Sequence, residues 1–308
     1  FQLRFSPALA NKPKPLPQHI QPEPAEPPET SKPFNPFAHP SPSLFIADVG
    51  PAHYLVLNKF AVVPGHFILA TRAFKPQSHV LERADLEATM ACLEGYAPPR
   101  GRDDGDGEHD GLFAFFNSGE HSGASQPHRH VQFLPVEQMS RGLEQHQGET
   151  PHWRLFIGQG PGAEKEMPFV VFSEELRPGM PPSEVHGVYL RLYREGCRAV
   201  MRATGQPCVG DAPGEGPALM SYNLGLTSTR MVLCPRLAEG GRVSGLEGEE
   251  VGRLALNGTV LAGTALVKTE GEWEALRRRP SGLVDVLRGI GIPREDGAGE
   301  SGDCEGQG

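Results

Sequence analysis

The chain has 308 residues, a formal net charge of −9 and a pI near 5.8, and it is long enough for two modest domains with a real core. The acidic balance argues against a surface that binds a nucleic-acid backbone, because such surfaces carry clustered Lys and Arg. Five widely spaced cysteines without a CxxC pair argue against a disulfide framework or a zinc site, and no apolar run approaches the ~18 residues of a membrane span.

The N-terminal half begins with residues 11–42, which are crowded with proline and lack hydrophobic periodicity. This composition predicts an extended arm over residues 1–45. Between 82 and 96, apolar residues recur at i, i+4 and i+7 and predict an amphipathic helix. A polar loop is predicted at 100–111. Four runs have the composition of strands, at residues 54–60, 66–72, 112–116 and 128–134.

The C-terminal half begins with a long predicted helix over 182–205, whose apolar residues fall on one stripe. Residues 222–226 and 231–234 predict a hairpin that ends at Pro235. Helical turns are predicted further on, at 246–256, 271–278 and 282–289. The Gly-rich stretch after Arg294 predicts a disordered tail.

The strongest chemical signal is the run His128-Arg-His130-Val-Gln132. On a strand, His128, His130 and Gln132 share one face, while the residues between them face the core. A neutral imidazole is a competent nucleophile toward phosphorus near pH 7, provided that its other ring nitrogen is held as a donor. Gln132 can donate its amide N–H to a phosphate oxygen, and His128 can help to organise the network. The run therefore predicts a nucleophile at His130.

The same run is also compatible with a structural role or with a metal site. Two histidines at i and i+2 can be structural, and His-x-His on a strand is a frequent zinc arrangement. The nearest candidates for a third ligand are Glu120 and His121 in the preceding loop. Small residues at 117–119 and 122–125 form a loop that can present backbone N–H groups to phosphate, although such loops are often only turns.

These residues resemble the histidine-triad superfamily in its transferase branch, where the motif is His-x-His-x-Gln. Further segments resemble the fungal diadenosine tetraphosphate (Ap4A) phosphorylases, also called ATP adenylyltransferases. The matching segments are 57–66, Asn117-Ser-Gly119, 122–132, Tyr222-Asn-Leu224 with Pro235-Arg236, and 257–268. The resemblance covers most of the chain and implies an α+β fold, a histidine-triad-like antiparallel sheet with flanking helices. It implies four regions: the Pro-rich arm, a catalytic domain, a C-terminal adenylyltransferase-type half and the tail, at 1–45, 46–175, 176–295 and 296–308.

In that family the second histidine of the motif attacks the α-phosphorus of Ap4A and releases ATP, and phosphate then takes the AMP to give ADP. The resemblance implies that His130 is this nucleophile and that Gln132 contacts the transferred phosphate. Thr264 stands where the family has a methionine. The implied substrate-binding residues are Lys12, Asn58, Lys59, Asn117, Ser122, Gly123, Ala124, Ser125, Gln126, Asn257, Gly258, Thr259, Thr264 and Lys268.

The implied reaction is reversible, and adenosine phosphosulfate is a second AMP donor. We expect a divalent cation, Mg²⁺, to accompany the nucleotide, with no organic cofactor and no protein-bound metal. The expected partners are small molecules, namely Ap4A, ATP, ADP and phosphate, and not nucleic acid or a membrane. We expect a cytoplasmic monomer, with the nucleus as a second location. A dinucleoside polyphosphate hydrolase, a hexose-1-phosphate uridylyltransferase and a non-catalytic nucleotide-binding module are the alternatives.

Overall fold

The computed structural model describes residues 1–11, 35–96, 111–141, 153–159, 162–206 and 212–294. Predictions about Lys12, most of the Pro-rich arm, the loop at 101–110 and the tail from 295 onward therefore lie outside the described residues. The strands are β1 (Gln2–Phe5), β2 (Phe45–Val49), β3 (His53–Leu57), β4 (Phe67–Thr71), β5 (Leu112–Ser118), β6 (His130–Pro135), β7 (Phe172–Glu175), β8 (Ser221–Leu226), β9 (Arg230–Arg236), β10 (Gly240–Ser244), β11 (Glu250–Ala255) and β12 (Thr264–Val267). The helices are α1 (Arg83–Gly95), α2 (Val136–Ser140), α3 (Pro182–Ala203), α4 (Glu270–Arg278) and α5 (Ser281–Ile290).

A single eight-stranded sheet forms the centre of the molecule, in the order β2-β3-β4-β6-β5-β8-β9-β7. All neighbouring strands in it are antiparallel. The predicted hairpins are β3–β4 and β8–β9, and the pairing of β5 with β8 joins the two halves of the chain into one sheet. The predicted α+β class with an antiparallel sheet and flanking helices is confirmed.

The two faces of the sheet are covered by different parts of the chain. Because side chains alternate along a strand, Phe116 and Phe133 pack on one face against α1 and α3. Phe113 and Phe115 pack on the other face, in a core shared with the C-terminal elements. His130 and Gln132 alternate with Val131 and Phe133, so they lie on this second face.

Two parts of the fold differ from the sequence prediction. The predicted helical turns at 246–256 are wrong: β10 and β11 form an antiparallel hairpin there. Gly248, at φ +85°, closes the turn in a conformation that a helix cannot use, and Leu254 is buried by the hairpin. The first residues were assigned to an extended arm, but β1 pairs in parallel with β12 of the C-terminal half.

The strand that carries His130 is shorter than predicted. It was predicted from 128 but begins only at His130, and His128 makes an isolated bridge to Pro76. Within the described ranges, every helix is too short or too polar to cross a bilayer.

Candidate active site

His130 lies at the first residue of β6, where β6 separates from β5. The β5–β6 ladder ends at the pair Phe115 and Gln132. Beyond it, the side chain of Gln77 fills the gap: its Oε1 accepts from the N–H of His130 at 2.7 Å, and its Nε2 donates to the carbonyls of Asn117 at 2.9 Å and His130 at 3.1 Å. Gln77 is buried. One side chain therefore replaces the missing strand hydrogen bonds and fixes the backbone of His130.

The imidazole of His130 is held in the tautomer that a nucleophile requires. Its Nδ1 lies 2.8 Å from the carbonyl oxygen of His128. Since a carbonyl can only accept, Nδ1 carries the proton and the lone pair is on Nε2. The ring is buried, at 4% exposure. This is the arrangement predicted for an attacking histidine whose other nitrogen is a donor.

His128 is held from both sides of its ring. Its Nε2 lies 2.7 Å from the carbonyl of Thr71, and Asn35 Nδ2 lies 3.0 Å from its Nδ1. Burial lowers the pKa of His128, and the backbone hydrogen bonds at Thr71 and Ala73 offset this only in part. His128 is therefore a neutral residue whose carbonyl orients His130.

A hydrogen-bonded chain also orients the amide of Gln132. The backbone N–H of Val62 donates to His66 Nδ1 at 3.2 Å, so the proton of His66 is on Nε2, which lies 3.1 Å from Gln132 Oε1. Gln132 Oε1 is thereby an acceptor, and its Nε2 becomes the group able to donate to a ligand. The Nδ2 of Asn58 lies 3.4 Å from His66 Nδ1, the ring nitrogen that accepts.

The loop of small residues that precedes β6 packs against the C-terminal half. Asn117 Oδ1 accepts from Asn223 Nδ2 at 2.9 Å and from the N–H of Gly258 at 2.8 Å, so the amide nitrogen of Asn117 is the group of this side chain that could donate to a ligand. Asn223 Nδ2 also donates to the carbonyl of Ser122. Gly123 has φ +75°, and a Cβ there would lie 2.5 Å from the carbonyl oxygen of Leu256. The loop conformation therefore requires glycine at 123.

Arg236 contacts residues that hold this loop in place. It is buried and donates to the side-chain oxygen of Asn223, to the carbonyl of Leu256 at 3.1 Å and to that of Glu239 at 2.9 Å. Burial lowers its pKa to about 10. The guanidinium thus connects β9 with the segment that leads into the turn Gly258–Ala262.

The remaining predicted substrate-binding residues differ in their burial and in the elements that carry them. Ser122, Gly123, Ala124, Ser125 and Gln126 form the loop just described, and Asn257 caps the turn that contains Gly258 and Thr259. Thr264 is buried, and its hydroxyl accepts from Gln2 Nε2 at 2.8 Å, so its side chain is bonded to β1. Lys59 is exposed beside Asn58, whereas Lys268 is half-buried just after β12.

Arg129, between the two histidines, faces the opposite side of the sheet. Its guanidinium donates to Asp85 at 2.7 Å and to Glu82 at 2.9 Å, and His53 contacts Asp85 at 2.9 Å. Burial would raise the pKa of Asp85, but the hydrogen bond from His53 and the charge of Arg129 outweigh it and lower the pKa. This buried cluster attaches α1 to the residue directly before β6.

In the part of the chain that the structure describes, no three His, Cys, Asp or Glu side chains converge as a metal-binding group. His121 is paired with Glu120 at 3.0 Å, away from a third such ligand. The zinc alternative for His128 and His130 therefore has no third protein ligand among these residues. Both rings are instead bonded to carbonyl oxygens.

Sequence reasoning missed the residues that hold the histidines and glutamine in place: Asn35, Phe37, His66, Thr71 and Gln77. Asn223 and Arg236 lie in segments that carry the family resemblance, but their roles are visible only in the fold. A buried side chain that bonds to the backbone has no spacing signature. The signal that could have found some of them is position in a matching segment: His66 lies in 57–66, Asn223 in 222–224 and Arg236 in 235–236.

Two family models match this chain. The model described as Ap4A phosphorylase N-terminal domain matches residues 1–147, and the model described as ATP adenylyltransferase C-terminal domain matches residues 165–293. Among curated proteins of Saccharomyces cerevisiae, diadenosine 5',5'''-P1,P4-tetraphosphate phosphorylase 2 is 34% identical over 139 residues, which are 44% of this chain and 39% of that protein. Protein APA1 is 27% identical over 250 residues, 80% of this chain and 71% of that protein.

Among solved structures, the crystal structure of yeast Ap4A phosphorylase Apa2 in complex with Ap4A has a TM-score of 0.62 at 23% identity. It covers 96% of this chain and 86% of that chain. The structure of the same yeast protein in complex with AMP has a TM-score of 0.59 at 24% identity, covering 85% and 82%. At this identity the structural likeness establishes the fold.

Proposed function

Because the chain belongs to the family of Ap4A phosphorylases and ATP adenylyltransferases, we propose that it phosphorolyses Ap4A through an adenylyl group carried on His130. Family membership confirms the predicted enzyme class, a nucleotidyltransferase. The observation that carries the proposed mechanism is the 2.8 Å contact between His130 Nδ1 and the carbonyl of His128, which leaves the lone pair on Nε2.

The reaction has two displacements at phosphorus. His130 Nε2 attacks the α-phosphorus of Ap4A, the Nε2–P bond forms and the bond to the bridging oxygen breaks, releasing ATP. A phosphate oxygen then attacks the same phosphorus, the Nε2–P bond breaks, and ADP is released. Two inversions give net retention at phosphorus. In reverse, ATP and ADP yield Ap4A, and adenosine phosphosulfate is a second AMP donor.

The surrounding groups position the nucleotide and stabilise charge rather than exchange protons. Gln132 Nε2 is oriented by His66 to donate to a nonbridging oxygen of the transferred phosphate. The loop at 122–126 binds the polyphosphate through its backbone N–H groups, and Asn117 donates from its amide nitrogen. Lys59 and Lys268, with Lys12, neutralise phosphate charge in an otherwise acidic protein.

A divalent cation, Mg²⁺, accompanies the nucleotide in this proposal. The described residues supply no cluster of three acidic or histidine ligands, which fits an ion held chiefly by phosphate oxygens. When bound, such an ion neutralises charge on the leaving polyphosphate. Yeast Apa2 has been crystallised with Ap4A and with AMP, and we propose that this chain binds the same ligands as a cytoplasmic monomer, with the nucleus as a second location.

The test is to mix the protein with Ap4A labelled in the adenosine α-phosphates, without inorganic phosphate. We expect acid-labile AMP on the wild-type protein and none on His130→Gly. Adding phosphate should release the label as ADP. Label that persists in His130→Gly would overturn the role of His130. Phosphate-independent release of AMP would indicate a hydrolase instead.

A further inference from the structure

Residues 35–37 form a short segment that lies over the two histidines of the motif. Asn35 Oδ1 accepts from the N–H of Phe37 at 3.0 Å, so the two residues form a side-chain-capped turn. The hydroxyl of Tyr54 donates to the carbonyl of Phe37 at 2.6 Å. Phe37 is buried at 6% exposure in a cluster with Tyr54, Val56, Ile68 and Ala70. The segment is thus attached to β3 and β4 beside the nucleophile.

Asn35 contacts the ring nitrogen of His128 that carries no proton. Thr71 presents its carbonyl to His128 Nε2, so Nε2 is the protonated nitrogen and Nδ1 has the lone pair. Because the Oδ1 of Asn35 is already bonded to Phe37, its Nδ2 is the atom that faces Nδ1, at 3.0 Å. Because the N–H of Asn35 points at Nδ1, protonation of that nitrogen would place two donors against each other and is disfavoured.

Phe37 packs directly on the nucleophile. Its ring centroid lies 5.0 Å from that of His130, with the planes tilted by 33°, and 5.6 Å from that of His128 in an edge arrangement. Contact on the face of the His130 imidazole restricts rotation of the ring. It does not occupy the plane of the ring, in which the Nε2 lone pair points.

We propose, building on the function proposed above, that residues 35–37 are part of the catalytic apparatus. Asn35 is a positioning residue that keeps His128 as the neutral Nε2–H tautomer, and Phe37 keeps the imidazole of His130 aligned for attack. Both residues lie in the part of the chain predicted as the Pro-rich arm, where the sequence indicates no role for them.

The charge of His128 matters because His130 gains charge during the reaction. When Nε2 bonds to phosphorus and Nδ1 keeps its proton, the His130 ring becomes cationic. A second cationic ring next to it would raise the free energy of the intermediate, since like charges repel strongly where water is excluded. A neutral His128 still offers its carbonyl to Nδ1 without this cost.

The test for Asn35 compares Asn35→Asp with Asn35→Ala. Aspartate keeps the size and the oxygen that caps the turn at Phe37, but it replaces the donor to His128 with an acceptor that attracts a proton to Nδ1. We expect the ¹⁵N NMR signals of His128 to change from the neutral Nε2–H tautomer to imidazolium near pH 7. The kcat for Ap4A phosphorolysis should fall about tenfold to a hundredfold, by analogy with the loss of partners that orient metal-bound histidines. KM should be nearly unchanged, because in this proposal Asn35 acts on the histidine ring and not on the nucleotide.

A role limited to the turn predicts a different pattern. In that case Asn35→Asp behaves as wild type, and only Asn35→Ala loses activity. That result, or a neutral His128 in Asn35→Asp, would overturn the proposal. On the segment that follows Thr71, Arg72 and Lys75 are paired with Asp48 and Glu82, and neither substitution removes a member of these pairs.

The test for Phe37 is Phe37→Leu, with Phe45→Leu as the matched control. Phe45 stacks on Tyr54 on the same side of the sheet, and its ring contact is with Tyr54 rather than with either histidine. We expect Phe37→Leu to slow adenylylation of His130 about tenfold in a single turnover, and Phe45→Leu to leave the rate unchanged. Equal rates in the two variants would refute the role of Phe37.

The failures of the two proposals can be told apart. If wild-type protein forms no adenylyl-histidine, the proposed function fails, whereas the NMR state of His128 still reports on Asn35. If the wild type is adenylylated but both variants react like it, only the role of residues 35–37 fails.

Discussion

Gln77 holds the backbone of His130 through its side chain, so the substitution Gln77→Met should change both the stability of the fold and the rate of the proposed reaction. Methionine has a similar length but can neither donate to the carbonyls of Asn117 and His130 nor accept from the N–H of His130. Three hydrogen bonds at about 1 kcal/mol net each amount to about 3 kcal/mol of unfolding free energy. Because Gln77 is buried, water replaces these bonds poorly.

The same substitution should slow the reaction, since the backbone of His130 loses its support where β5 and β6 separate. We expect single-turnover adenylylation to fall by about a hundredfold, the loss typical of a small misplacement of a reacting group. Urea unfolding measures the stability, and labelled Ap4A without phosphate measures the rate. The matched control is Gln138→Met: among the described residues its amide nitrogen donates to the neighbouring Glu137, and the substitution should change stability by less than about 0.5 kcal/mol. Wild-type stability together with a wild-type rate in Gln77→Met would refute the reasoning.

Four further substitutions test other parts of the site and its support. Gly123→Ala should raise KM for Ap4A and destabilise the fold by at least about 1 kcal/mol, because φ is +75° and the new Cβ meets the carbonyl of Leu256. His66→Phe should lower kcat about tenfold or more, because the amide of Gln132 loses its orientation. Asp85→Asn should cost about 3–5 kcal/mol, measured by urea unfolding, because Arg129 becomes a buried charge with weaker pairing. Glu164→Gln should make stability less sensitive to acid. Burial opposes ionisation of Glu164, but hydrogen bonds from Ser173 and Arg230 outweigh it and lower its pKa to about 2. A lowered pKa stabilises the fold above the unfolded value of about 4.3, and the gain is lost as pH falls toward 2.

Each of these four predictions has an outcome that would contradict it. An unchanged KM in Gly123→Ala would mean that the loop at 122–126 tolerates another conformation. A wild-type kcat in His66→Phe would remove His66 from the site. Asp85→Asn should lower the free energy of unfolding while the single-turnover rate of the folded protein stays close to wild type. A large loss of rate without a loss of stability would contradict a supporting role. For Glu164→Gln, urea titrations between pH 7 and pH 2 should show a smaller loss of stability than in wild type, and a parallel loss would contradict the assignment.

Much of the fold follows from local patterns in the sequence. The spacing of Leu86, Met90 and Leu93 predicted α1, and the structure has a helix there with those residues buried. The hairpins β3–β4 and β8–β9 were predicted because apolar runs flank turn residues a few positions apart. Each of these elements is specified by residues close together in the chain, so periodicity and turn chemistry suffice to identify it.

The residues that we propose as reacting groups could also be identified from the sequence. His130 and Gln132 fall on one strand face through simple alternation, and the resemblance carried by the whole segment gave that face its chemistry. The structure adds that His128 precedes the strand and acts through its carbonyl. The helical prediction at 246–256 failed because the apolar spacing there suits a short helix as well as a strand, and only pairing with β10 decides between them.

The sequence by itself pointed to His130 as the residue that we propose attacks phosphorus, and the tertiary structure alone decided what holds that residue in place. Gln77, Asn35 and the His66 that orients Gln132 lie 53, 93 and 66 positions from their partners in the motif. The parallel pairing of β1 with β12 likewise joins the first described strand to the last one. Such contacts leave no periodic trace, because a buried N–H, carbonyl or imidazole nitrogen can be satisfied by any donor or acceptor that the fold brings to it.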